Sequence, residues 1–399
     1  MSKSPSTTSD LPLSQMSYRI RHTGSNVWQI HDDAIARRER GDDIILLSVG
    51  DPDFPTPKEI TDHLVRQVHG GRTHYSPASG EPGLRQALAT LETRIEGRRF
   101  TADQFVIFPG ATSALHGVFS CILNEGDEVI IPEPMYIGYH GIFNSIGASI
   151  ISVPLDADRN FELRLDLIED AITEKTRAVL INTPGNPCGN ILGGEILADL
   201  ASLCRARGIW LVSDEVYSLF SYDEPHVSLL RAAQDLDNVI VIDSLSKSHA
   251  MSGWRIGWTV APRDFSALLG EYCGDTFFGC SQFIQDAAEF ALSFNAPHIL
   301  SMREQFRQRR DYVVDRLAPF NQLNCARPRA GMFAMVDVSG CARDGDEFAR
   351  WLLDEAGISV IPGSGFGSNT RNHVRFSLTQ PLDVLKEAFD RMEKCLSMN

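Results

Sequence analysis

Between residues 105 and 242 the apolar positions fall in short, nearly continuous runs within 105–108, 128–131, 148–154, 178–182, 210–213 and 239–242. Stretches of helical period lie between several of them, at 114–123, 164–172 and 194–207. A strand that is apolar at every position is buried on both faces. Such strands alternating with helices predict an α/β fold, a mainly parallel sheet with helices on both sides. Upstream, the pattern predicts a helix over 27–40 ending at Gly41, a strand over 44–49 and a helix over 84–95. Downstream the character changes. Helical patterns at 262–272, 281–292 and 297–317 lead into strands at 331–338 and 358–361, an alternating strand at 373–377, and helices at 345–356 and 381–396. That mixture predicts a smaller α+β domain over 295–399. The large domain then spans 49–294, residues 15–48 pack against the smaller domain, and residues 1–14, polar throughout their first ten positions, form a disordered tail.

In sheets of this kind ligands bind beyond the carboxyl ends of the strands. The polar residues at those ends are therefore the candidates. Asn186 follows the 178–182 run, Asp214 ends the next, and Lys247 follows Val239-Ile-Val-Ile-Asp243 within Ser244-Leu-Ser246-Lys247. A lysine in a dry site tends toward the neutral amine, which is a nucleophile and forms a Schiff base with an aldehyde. Eight residues on, Arg255 stands in Gly253-Trp-Arg-Ile-Gly257, a setting suited to a phosphate. The turn Pro109-Gly110-Ala111-Thr112-Ser113 joins a strand to a helix and offers free N–H groups to an anion. Pyridoxal 5'-phosphate carries both an aldehyde and a phosphate. A carboxylate at Asp214 keeps its ring nitrogen protonated, Tyr217 and Asn186 reach its phenolic oxygen, and Tyr136 stacks on the ring. Gly50, in the proline-rich loop 50–57, lets backbone lie against a ligand. Arg375, mid-strand between Val374 and Phe376, is suited to clamp a carboxylate.

Ser244-x-x-Lys247 also has the form of a penicillin-recognising serine nucleophile. That chemistry needs Lys-Thr-Gly and Ser-Asp-Asn elsewhere. The nearest stretch, Lys175-Thr-Arg177, has arginine where glycine is required, and Ser-Asp-Asn does not occur.

Composition narrows the picture further. A net charge of −15 argues against a nucleic-acid partner. The eight cysteines form no C-x-x-C pair, which argues against a disulfide frame or a metal site. No run approaches the roughly 18 apolar residues of a membrane span, and the polar N-terminal residues do not read as a secretory leader. The expectation is a cytoplasmic protein with no membrane partner.

Taken together, Gly50-Asp-Pro-Asp-Phe, Tyr75-Ser-Pro-Ala-Ser-Gly80, Asn186-Pro-x-Gly, Asp214-x-x-Tyr217, Ser244-x-Ser-Lys247, Gly253-Trp-Arg-x-Gly257 and Arg375 in Val-Arg-Phe-Ser resemble, in order, the motifs of class I/II aminotransferases of pyridoxal-phosphate fold type I. The resemblance covers about residues 17–397. It implies a seven-stranded central sheet and a homodimer with its site at the subunit interface. It implies Lys247 as Schiff-base lysine and proton shuttle, with Asp214 and Tyr217 beside it. The cofactor would be held by Gly110, Ala111, Thr112, Tyr136, Asn186, Ser244, Ser246, Arg255 and Tyr75 of the partner subunit. Gly50, Asn186 and Arg375 would grip the substrate carboxylate. The substrates implied are an L-amino acid and a 2-oxo acid in a ping-pong exchange. Ala111-Thr112 departs from the Gly-Lys common among aspartate-specific members. Leu47-Ser-Val-Gly-Asp-Pro-Asp-Phe54 and Gly331-Met-Phe-Ala-Met-Val336 are similar to an arginine–pyruvate branch. A guanidinium donor would need a carboxylate, for which Asp53, Glu133 and Asp275 are candidates. Aspartate or broad specificity, or a β-lyase on the same fold, are the alternatives.

Overall fold

The computed structural model describes residues 12–21, 25–156, 159–293 and 297–397. The expected tail falls, up to residue 11, outside the described residues. Within it, Ser14 caps the helix Gln15–Ile20 by accepting from the Ser17 N–H.

Thirteen strands occur among these residues: β1 (Ile45–Leu46), β2 (Phe105–Phe108), β3 (Glu128–Glu133), β4 (Ser149–Pro154), β5 (Thr176–Asn182), β6 (Trp210–Asp214), β7 (Val239–Ser244), β8 (Gly257–Val260), β9 (Asn324–Cys325), β10 (Phe333–Asp337), β11 (Ile358–Ser359), β12 (Ile361–Pro362) and β13 (His373–Ser377). Seven of them form the central sheet, in the order β2-β8-β7-β6-β5-β3-β4. All run parallel except β8, which is antiparallel to both neighbours.

The unbroken apolar runs have the predicted cause. On β5, Val179 and Ile181 face a layer containing Leu84, Leu88, Leu197 and Ala288, drawn from the helices Pro82–Glu96, Gly194–Arg207 and Gln282–Ser293. Ala178 and Leu180 face the opposite layer, with Leu115, Ile142 and Leu269 from Ala111–Ile122, Gly138–Ile146 and Arg263–Thr276. Successive side chains point to opposite faces of a strand, so both faces are greasy only when both are covered.

A second, antiparallel sheet has the order β12-β13-β10-β9, and β1 pairs in parallel with β11. The single expected strand over 358–361 is thus two: Ile358 and Ser359 pair with β1, while Ile361 and Pro362 pair with β13. The helix Ser25–Glu39 packs Ile30 and Ala34 into a cluster with Leu352, Leu353 and Val360. The helix Gln15–Ile20 instead lies on the large sheet's side. Arg19 donates from Nε to the Asn144 carbonyl at 2.8 Å and from Nη1 to Glu125 at 3.1 Å. The carbonyls at the end of Gly138–Ile146 have no helical partner and attract a cation. Among the described residues no helix is long and apolar enough to cross a membrane.

Candidate active site

The return from β7 to β8 builds the centre of the site. Ser244 ends β7 and caps the short helix Leu245–Ser248 by accepting from the Ser246 N–H. The chain then turns through 252–254, and Arg255 adopts a left-handed conformation (φ 54°). That turn sends β8 back beside β7, with Ser244 paired to Gly257. Lys247 and Arg255 are thereby brought to the same mouth of the sheet. They line one cavity of about 500 Å³ with Asp214, Asn186, Tyr217, Tyr136, Ala111, Thr112, Ser244, Ser246, Gly50 and Arg375. Nearly all of the residues picked from the sequence therefore converge.

Lys247 donates from Nζ to the Gly50 carbonyl at 2.6 Å. Burial pulls its ammonium down to a pKa of about 8, against an upward pull from Asp51 and with help from the positive charges of Arg375 and Arg255. About a tenth of the amine is then neutral at pH 7, against almost none for an ordinary lysine.

Two arginines flank it without a carboxylate partner among the described residues. Arg255 donates only to carbonyls, Ser252 at 2.7 Å and Pro109 at 3.4 Å. It lies against Gly110, the cap of Ala111–Ile122, whose φ of +87° and missing Cβ let the guanidinium approach: a Cβ there would stand 2.3 Å from Nη2. Gly110 thus shapes the cradle without lining the cavity. Arg375, only 3% exposed, donates to Asn186 Oδ1 at 2.9 Å and to the Ser48 carbonyl at 2.8 Å. Its Nε has no hydrogen-bond partner. Its guanidinium stacks 4.1 Å from the Phe333 centroid, and burial lowers its pKa to about 10. A buried cation with no counter-charge and an orphaned N–H is costly. That buried guanidinium and the exposed one of Arg255, in one cavity, fit a ligand set with two anionic ends.

Asp214 lies deep between them. Burial raises its carboxyl to about 6, opposed by hydrogen bonds from Tyr139 and the Val216 N–H. The Tyr139 hydroxyl donates to Oδ2 at 2.7 Å, from a side chain with no exposure. A carboxylate strained upward by burial gains from a cation placed against it. Tyr217 is buried, and burial also pushes its hydroxyl well above the ordinary range. Among the described residues no group of three or more His, Cys, Asp and Glu side chains could hold a metal ion.

Besides Gly110, four sequence candidates are not brought to this cavity. Tyr75 is 81% exposed and meets Phe278 edge-on at 4.9 Å, away from its own chain's site. Asp53 is held by Arg309 through two hydrogen bonds, at 2.7 and 2.9 Å. Glu133 is buried and accepts from the Ser368 hydroxyl at 2.9 Å and the Asn369 N–H at 3.2 Å. Asp275 is exposed on Arg263–Thr276. Among the lining or supporting residues that had not been singled out are Asp51, Trp28 and Tyr139. Asp51 was visible as the residue after Gly50, but Trp28 and Tyr139 carried no local signal.

The family model of aminotransferase class I and II matches residues 42–392. The chain is similar to arginine–pyruvate transaminase AruH of Pseudomonas aeruginosa, 41% identical over 96% of this chain and 97% of that one. It is 33% identical to aspartate aminotransferase of Geobacillus stearothermophilus over 93% of this chain and 96% of that one. Its structure is similar to that of Thermus thermophilus aspartate aminotransferase with maleate, with a TM-score of 0.91, 30% identity, and coverage of 96% and 99% of the two chains.

Proposed function

Since the chain belongs to the class I and II aminotransferase family and is a pyridoxal-phosphate-dependent transaminase, we propose that it moves the α-amino group of a basic L-amino acid, arginine foremost, to a 2-oxo acid such as pyruvate. The observation that carries the site assignment is Lys247 between two arginines that lack a counter-charge, in one cavity. When bound, the cofactor supplies an electron-withdrawing ring that takes up the charge left when a proton leaves the substrate α-carbon.

The residues divide the remaining work. Ala111 and Thr112 at a helix start, Ser244, Ser246 and Arg255 would hold the phosphate. Asp214, fixed by Tyr139, would keep a positive ring nitrogen in place. Tyr136 would lie against the ring, and Asn186 and Tyr217 would serve its phenolic oxygen. Arg375, Asn186 and the Gly50 backbone orient the substrate carboxylate. Lys247 would take and return the substrate α-proton at Nζ as a neutral amine. A base whose pKa lies near the working pH does this most effectively. The same site then runs in reverse on the second oxo acid.

A homodimer belongs to the same proposal. Exposed Tyr75 beside exposed Phe278 supports a second copy covering that patch, with Tyr75 reaching the partner's phosphate cradle. Sedimentation of the loaded enzyme tests it: a monomer refutes it.

The donor reading is tested with a panel of L-amino acids and pyruvate, following alanine formation. Arginine should be the best donor, with lysine or ornithine next. A panel led by aspartate would overturn it. Pyruvate released from a donor bearing a β leaving group, without any acceptor, would point to a lyase instead.

A further inference from the structure

Five charged residues line the cavity: Lys247, Arg255, Arg375, Asp214 and Asp51. Three are cations, suited to the two anionic ends and the proton. Asp214 is buried and engaged by Tyr139. Asp51 alone is a carboxylate at the open side. The Ser252 hydroxyl donates to its Oδ1 at 2.6 Å and fixes its orientation. Its Oδ2 receives no hydrogen bond among the described residues. Trp28, from the helix Ser25–Glu39, lines the same cavity, and His31 meets its indole edge-on at 5.8 Å.

We infer that Asp51, with Trp28 lining the same cavity, receives the cationic end of the substrate side chain and so sets the enzyme's preference for basic amino donors. This rests on the donor reading above. A carboxylate pairs with the guanidinium fork, and an aromatic face takes a flat cation by its ring quadrupole. The other acidic candidates are excluded by position. Asp53 is neutralised by Arg309, Glu133 is buried under the 368–369 turn, and Asp275 lies outside the cavity.

Asp51 also raises the Lys247 pKa by its charge, so its removal affects every donor. The informative quantity is therefore a ratio. The probe is 5-guanidinopentanoate, which has arginine's carboxylate and guanidinium but no amine to react. Hexanoate, which lacks the cation, is its comparator. Both are titrated calorimetrically into cofactor-loaded wild type, Asp51→Asn and Asp51→Glu. Wild type should bind the guanidino acid more tightly than hexanoate. Asp51→Asn should reduce that preference about tenfold, the lower range for a charge-assisted hydrogen bond at a site open to solvent. Asp51→Glu should restore part of it. The kcat/KM ratio of arginine to alanine should fall in parallel. A preference that survives Asp51→Asn overturns the role of Asp51 and leaves the donor reading standing. A wild type with no preference overturns both.

Discussion

Lys247 offers a test that needs no substrate. In the cofactor-free protein its burial lowers the pKa from 10.5 to about 8. At about 1.4 kcal/mol per pH unit, that corresponds to a penalty of about 3 kcal/mol for the charged form in the fold. Below pH 8 both the folded and unfolded chains carry the proton, so the whole penalty is present. Between pH 8 and 10.5 the unfolded chain still binds a proton that the folded chain has released, and stability rises with pH. Above both values nothing remains. Lys247→Met removes the charge and keeps the chain length. It also removes the bond from Nζ to the Gly50 carbonyl, worth about 1 kcal/mol, and the lysine is only partly buried. The variant should therefore be more stable than wild type by about 1–2 kcal/mol at pH 7, and the advantage should vanish or reverse by pH 10.5. Urea unfolding of both cofactor-free proteins across pH 6.5–10.5 measures the difference. Other titrating groups, Tyr217 included, are common to both and cancel. A variant that is less stable at pH 7, or a difference that does not change with pH, would refute a desolvated Lys247.

Three other outcomes follow from the same geometry. Tyr139→Phe removes the donor that holds the Asp214 carboxyl down; its pKa should climb above about 6, the acidic limb of the kcat/KM–pH profile should move to higher pH, and activity at pH 7 should fall about tenfold. Gly110→Ala places a Cβ 2.3 Å from Arg255 Nη2 at a φ of +87°; cofactor affinity, read by fluorescence titration, should weaken at least tenfold while the arginine-to-alanine ratio stays as it was. Asp53→Ala strands Arg309, whose side chain is 5% exposed; unfolding should become easier by about 3 kcal/mol in urea, without the donor ratio changing, since Asp53 does not line the cavity.

What could be read from residues alone, and what could not, divides by the range of the force involved. The parallel sheet was legible because burial on both faces writes an unbroken apolar run into each strand, as on Ala178–Ile181. The strand-end positions of Asn186, Asp214 and Lys247 followed from the same runs. β8 was not legible. Gly257-Trp-Thr-Val260 is four residues long, and it runs antiparallel after a tight turn in which Arg255 is left-handed, a turn that no local pattern announces. The division of 358–362 between two sheets was hidden for a related reason: its apolar pattern states that both faces are covered, not which partner covers each edge. The side-chain pocket was the hardest. A carboxylate near a motif, such as Asp53, looks as available as Asp51 until the fold shows that Arg309, 256 positions away, already holds it. Tyr139 is the same case reversed, since its hydroxyl matters only because Asp214 lies 75 positions further along the chain. Local pattern reports whether a residue is buried or exposed. Whether a buried charge still seeks a partner depends on contacts that no local pattern contains, and in this cavity the charges left without one are those that face the ligand.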